Sequence, residues 1–173
     1  MNISAVILAR GGSKGIPNKN LIDFCGKPLI SWTIEQVNSA ANINDVWVSS
    51  DSKEILELSE SLGANLIPRP KYLSEDHSTS ESGWVHAIDY IEEKNNKNID
   101  IVFAPQVTSP LRTKEDIESA LKIFIEEDYD SLFSSSASED LFLWEKDKTG
   151  KLISINYDFK NRKRRQDIKD KYI

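Results

Sequence analysis

The sequence predicts an α/β protein, a three-layer sandwich around a mainly parallel sheet, and three observations carry that prediction. Segments of strand character alternate with segments of helical period along the chain. The first of them, residues 3–9, is a continuous apolar run, the pattern of a parallel strand covered on both faces. A glycine-rich, cationic loop follows it directly, at the strand end where open parallel sheets bind ligands.

The elements follow in order. Pro28 opens a helix in which Ile30, Ile34, Val37 and Ala41 share one face; proline suits a first helical turn, where its missing N–H costs nothing. Residues 45–50 form a second strand. Residues 52–62 form a second helix with Ile55, Leu58 and Leu62 in phase, and Gly63 stops it. Asp51, between the two, reads as the cap of that helix rather than as a ligand. Residues 64–68 make a short third strand. A polar loop over 69–80 leads to a helix carrying Trp84, Ile88 and Ile91 on one side. Residues 100–104 are a fourth strand. Thr113, followed by Asp116, resembles a capping box with Asp in place of Glu, and its helix aligns Ile117, Leu121 and Phe124. Residues 130–135 are expected as a fifth strand. Beyond them, 141–145 and 151–155 flank the turn 146–150 as a hairpin.

Composition bounds the function. The 173 residues suit one compact domain that needs no disulfide or structural metal. The single cysteine, Cys25, forms no internal bridge and fits a reducing compartment. Residues 5–9 lack a basic n-region and fall far short of the roughly 18–20 apolar residues of a membrane span, so a soluble cytoplasmic protein is expected. A net charge of −6 argues against general nucleic-acid binding but not against one nucleotide, which a few local cations can hold. The basic run Lys160, Arg162, Lys163, Arg164, Arg165 reads by itself as a solvated face. His77 and His86 share no metal-ligand spacing, and the four tryptophans read as core or interface, with Trp144 the best interface candidate.

The loop over residues 10–21 carries the chemistry. It reads Arg10-Gly11-Gly12-Ser13-Lys14-Gly15-Ile16-Pro17-Asn18-Lys19-Asn20-Leu21, with three glycines, three cations and no acid. Glycines let backbone N–H groups approach an anion and form a nest. Arg10, Lys14 and Lys19 supply the charge that a triphosphate and its leaving group require. Neither the Walker pattern nor the dinucleotide pattern GxGxxG is present, which removes two common nucleotide classes.

Residues 7–20, ILARGGSKGIPNKN, resemble the signature of the acylneuraminate cytidylyltransferases, the CMP-sialic acid synthetase family. Three further blocks follow in the family's order. Arg69-Pro70 with Leu73, Asp76 and Ser80 resembles its RP…L…D…S block. Residues 106–112, QVTSPLR, are similar to QPTSPLR with Val107 for its first proline, and Arg165-Gln166 resembles a later R-Q pair.

The resemblance implies a nucleotide-diphospho-sugar transferase-like fold and transfer of CMP from CTP to the anomeric hydroxyl of a nonulosonic acid. It implies that Arg10, Ser13, Lys14 and Lys19 hold the phosphates, with Gly11 and Gly12 giving backbone access. Asn20 would bind base or ribose. Arg69 and Ser80 would contact cytidine, with Ser78 helping through its backbone. Gln106 would face the acceptor sugar and metal, so that Arg10, Lys14, Lys19 and Gln106 form the catalytic set. Arg165 and Gln166 would reach the sugar from a dimer-forming excursion over residues 139–173, giving a homodimer.

Magnesium is the implied cofactor. The family continues past the R-Q pair to an Asp-x-Asp that ligates the metal. The resemblance therefore places the metal ligands beyond residue 173 and leaves the single domain over 1–173 incomplete at that end. Residues 141–144 are apolar where some members carry a basic residue, which leaves the sugar's identity open. Two other readings stand beside this one: a nucleotidyltransferase for another sugar such as a Kdo relative, and a CTP-binding module without turnover. No partner nucleic acid or membrane is expected.

Overall fold

The computed structural model describes residues 1–135, 144–155 and Lys160. The chain divides into two compact units, Met1–Asp128 and Tyr129–Ile173. The first unit runs β1 (Ile3–Leu8), β2 (Asp23–Phe24), β3 (Lys27–Pro28), α1 (Leu29–Ser39), β4 (Asp45–Ser50) and α2 (Lys53–Ser61). It continues through β5 (Asn65–Pro68), α3 (Ser80–Asn95), β6 (Ile101–Phe103) and α4 (Lys114–Glu126). The second carries β7 (Trp144–Lys146) and β8 (Leu152–Ser154).

Among the described residues, β5, β4, β1 and β6 pair in that order, every neighbour parallel. The strand period sorts β1 between two layers: Ile3, Ala5 and Ile7 pack with Ile34 of α1, Ile55 of α2 and Ile117 of α4. Val6 and Leu8 point the other way, onto Trp47, Ile67 and the α3 residues Ala87 and Ile91. This is the expected three-layer α/β sandwich. Its helix placement follows from handedness. Going from β1 to β4 to β5, the chain steps one way across the sheet and leaves α1 and α2 on one face. Stepping back past β1 to β6, a right-handed crossover must put α3 on the other.

Local chemistry sets the boundaries. Ser52 accepts the Ile55 N–H at 3.4 Å and begins α2, while Gly63, at φ 82°, takes the left-handed position that ends it. The Thr113–Asp116 capping box is complete: Thr113 Oγ1 accepts the Asp116 N–H at 3.2 Å, and Asp116 Oδ2 accepts the Thr113 N–H at 2.8 Å. In the β7–β8 turn, Asp147 accepts from the Thr149 hydroxyl and N–H and from the Lys151 N–H. These bonds, led by that hydroxyl, hold its carboxyl below its ordinary value.

Four expectations need correction. Residues 130–135 form no strand, and Leu132 and Phe133 are exposed; adjacent in sequence, they would face opposite sides of a strand and leave it no buried face. Pro28 precedes α1 rather than opening it, because it pairs with Asp23 in a β2–β3 hairpin closed by Cys25 and Gly26, both at positive φ. Ala41 lies outside α1, which ends at Ser39. On α3 the fully buried stripe is Gly83, Ala87 and Ile91, with Trp84 and Ile88 only partly covered.

Ile34 is fully buried, whereas Ile123 on α4 is 47% exposed. Ile34→Ala should therefore cost about 2–5 kcal/mol, and Ile123→Ala no more than about 0.5 kcal/mol. Urea unfolding of the two variants checks both values.

Candidate active site

A parallel sheet delivers every strand's carboxyl end to one edge. β1 ends at the Arg10 loop, β4 at Asp51, β5 at Arg69 and β6 at the turn containing Gln106. The strand order reverses between β1 and β6, and such a switch point opens a crevice. A cleft of about 370 Å³ lies there. Arg10, Ser13, Lys19, Asn20, Arg69, Ser78, Ser80 and Gln106 line it, with Leu8, Leu73, Thr79, Trp84 and residues 105–108 completing the wall. A second hollow adjoins this edge of the sheet, lined by Gly12, Ser13, Lys14, Asp51, Lys71, residues 74–76 and His77. Ser13, Ser74, Glu75 and Asp76 belong to both.

The loop after β1 is held at its two ends. Asn20, buried, donates its Nδ2 to Arg10 O at 2.9 Å, and Asp51 Oδ1 accepts the Gly11 N–H at 2.9 Å. Asn20 is thus spent at least in part on the loop's own closure. Asn18 adopts a left-handed φ of 51°, which asparagine tolerates, and leads into a 3-10 turn over Lys19–Leu21. The two glycines differ. A Cβ on Gly11 would stand 3.1 Å from Ser52 Cβ, so this glycine lets the loop pass the start of α2. Gly12 has nothing within 4 Å of that point and faces open space. The expectation of backbone access through both is corrected for Gly11, whose N–H belongs to Asp51.

Arg69 is the most enclosed cation of the site, 8% exposed, with Nε sealed from solvent and given no acceptor. Burial draws its guanidinium below the ordinary value; Asp51 pulls against that, and Arg10 adds to it. It stays charged, since an arginine does not deprotonate in a protein. Gly83 leaves it room: a Cβ there would stand 3.1 Å from Leu8 Cδ1 and 3.2 Å from Arg69 Nη1, a tight contact. A buried cation at a cleft wall is an arrangement that an anion or a carbonyl-rich base can complete.

The rest of the β5–α3 loop also lines the cleft. Thr79 caps α3, and Ser80 is its first residue, so this helix presents its amino end to the cleft. Ser78 is less available than expected. Its N–H donates to Glu75 O at 3.1 Å and its hydroxyl to Tyr72 O at 2.8 Å, so help through the backbone amide is corrected. Gln106 is exposed at the β6 end of the cleft. Arg112 Nη2 donates to its carbonyl at 3.1 Å, and Gln36 Nε2 from α1 holds Pro110 O at 2.6 Å. Val107, buried at 4%, anchors this turn in the core.

Most of the expected set is thus gathered: Arg10, Ser13, Lys19, Asn20, Arg69, Ser78, Ser80 and Gln106 share one cleft, and Gly12 and Lys14 line the adjoining hollow. Arg165 and Gln166 lie outside the described residues. Sequence reasoning missed Asp51 as the loop's anchor, having assigned it to a cap that Ser52 provides. Its placement at the carboxyl end of a parallel strand was the available signal. Among the described residues, no three of His, Cys, Asp or Glu stand together as a metal site. Among them too, no helix is long and apolar enough to cross a membrane.

Comparison with known proteins gives the site a setting. The chain is 36% identical over 171 residues to N-acylneuraminate cytidylyltransferase A of Danio rerio, covering 96% of this chain and 38% of that protein. It is 38% identical over 135 residues to a pseudaminic acid cytidylyltransferase of Campylobacter jejuni, covering 78% of this chain and 58% of that one. The chain therefore spans well under two thirds of these relatives' lengths. In structure it resembles a CMP:2-keto-3-deoxy-manno-octonic acid synthetase complexed with CTP. The TM-score is 0.62 at 26% identity, over 74% of this chain and 49% of that one. A cytidylyltransferase family model matches residues 4–161, and the chain belongs to that family.

Proposed function

We propose that this chain carries the CTP site of an enzyme that transfers CMP to the anomeric hydroxyl of a sialic-acid-like nonulosonic acid and releases pyrophosphate. One observation carries the reading: Arg10, Lys19 and the buried Arg69 all line one cleft at the carboxyl edge of the sheet. Three cations around so small a space suit a polyphosphate. The relatives named as N-acylneuraminate and pseudaminic acid cytidylyltransferases support the base and the sugar class.

The sugar hydroxyl oxygen attacks the α-phosphorus in line and a new P–O bond forms; the bond to the α,β-bridging oxygen breaks with its electron pair leaving on pyrophosphate, and the hydroxyl proton passes to solvent. The protein's work in such a transfer is positioning and charge stabilisation. Arg10, Lys14 and Lys19 offset the charge that grows on the leaving group. Arg69, Asn20 and the amino end of α3 at Ser80 orient the cytidine, and Gln106 stands on the sugar side. Magnesium enters the proposal as the triphosphate's counterion, since it binds phosphate oxygens and keeps several waters.

The reading extends to a homodimer in the cytoplasm. Exposed Trp144, Leu152, Ile153 and Ile155 on the described hairpin support contact through the 139–173 excursion. The exposed free thiol of Cys25 agrees with a reducing compartment.

A pyrophosphate-release assay tests the whole reading. CTP with N-acetylneuraminic or pseudaminic acid should release pyrophosphate, and UTP or GTP should release at least about tenfold less. Preference for another base overturns the proposal, and saturable CTP binding with no release by any acid favours the binding-module reading instead. The loop anchor gives a second prediction. Asp51→Ala, which frees the Gly11 N–H and removes the charge facing Arg69, should weaken CTP binding about tenfold. Asp51→Asn, which keeps an acceptor oxygen, should lose less. Calorimetric titration with CTP measures both, and equal losses would show that the Gly11 hydrogen bond is not what holds the loop for CTP.

A further inference from the structure

Two of the three cations of the phosphate loop, Arg10 and Lys14, are already engaged. Asp76, from the 3-10 turn and loop that follow β5, reaches across to the β1 loop: its Oδ1 accepts from Arg10 Nη1 at 3.3 Å and its Oδ2 from Lys14 Nζ at 2.6 Å. Arg10 Nη1 also donates to Glu75 O at 3.4 Å. The hydrogen bond from Lys14, aided by Arg10, holds the Asp76 carboxyl below its ordinary value, so it is ionised near neutral pH. One anionic group thus bridges two cations, on the shared rim of the cleft and its neighbouring hollow. That is the geometry a phosphate would take.

We propose that Asp76 is an internal competitor for the phosphate site, a carboxylate that occupies Arg10 and Lys14 until a polyphosphate displaces it. The inference rests on the nucleotide reading above and adds a threshold to it, since a ligand is held only if it binds well enough to displace the carboxylate. Displacing the carboxylate is a fixed cost to every ligand. A tri- or diphosphate, with several charges to spread over Arg10, Lys14 and Lys19, meets that cost. A single phosphate or chloride, which can do little more than replace the carboxylate it removes, does not. After transfer the carboxylate returns to the same cations and favours the departure of pyrophosphate.

Glu75 supplies the control. It is the neighbouring acid, but its side chain pairs with His77 Nε2 at 3.1 Å, and only its backbone oxygen meets Arg10. Glu75→Gln therefore removes the same unit of charge from the rim without touching the bridge. Asp76 is half exposed on a loop, so Asp76→Asn removes no packing.

The full chain, as wild type, Asp76→Asn and Glu75→Gln, is titrated calorimetrically at low ionic strength with CTP, pyrophosphate and inorganic phosphate. Asp76→Asn should bind pyrophosphate about fivefold more tightly, the scale of two exposed ion pairs. It should also raise the affinity for inorganic phosphate, while Glu75→Gln shifts both by less than about twofold. Unchanged or weaker pyrophosphate binding in Asp76→Asn overturns the proposal, as does equal tightening in Glu75→Gln. Wild-type protein that is folded by circular dichroism yet binds neither CTP nor pyrophosphate overturns the nucleotide reading itself. Wild-type binding without tightening in Asp76→Asn removes the competitor alone.

Discussion

Four parallel strands must release their chains at the same edge, and everything functional in this molecule depends on that constraint. It brings Arg10, Asp51, Arg69 and Gln106, from widely separated parts of the chain, to one side of the sheet. Parallel pairing alone would leave four independent loops. Three of them are joined because Asp51 holds the Gly11 N–H, Asn20 closes the β1 loop on Arg10 O, and Asp76 spans Arg10 and Lys14. The core beneath does not yield: Val6, Ile7, Val48 and Ile67 are fully buried, so the strand ends are fixed points. A site whose groups must stand within a fraction of an ångström of their targets needs that stiffness.

Much of this was legible in the sequence, and the limits of legibility have physical causes. An apolar run marked β1 because both of its faces are covered. The Thr113–Asp116 spacing and Gly63 marked helix ends because capping is a local interaction. Residues 130–135 misled, since a run holding two apolar residues can look like a strand when nothing indicates whether an edge awaits it. The β2–β3 hairpin was hidden by its two-residue strands and by a Cys25-Gly26 turn in place of the usual Asn-Gly.

The site shows the same division. Residue types and spacing pointed to the cleft, because glycines, serines and cations after a first strand are what an anion needs. They could not tell Gly11 from Gly12. Only the approach of Ser52 and the acceptor on Asp51 separate a glycine kept for packing from one that faces open space. Nor could they show that the Ser78 amide is occupied or that Gly83 leaves room for Arg69, because those contacts join residues by packing rather than by pattern. Membership of the cytidylyltransferase family agrees with the cleft's cationic lining; the excess of acids elsewhere on the chain leaves the attraction for anions local.

The central claim is that one cleft at the β1–β6 edge receives the nucleotide, and amide hydrogen exchange with and without saturating CTP tests it most directly. The account predicts slowed exchange in residues 10–20, 69–80 and 104–108, with α2 and α4 unchanged. Slowing confined to other segments, with those three loops exchanging as in the free protein, would contradict it.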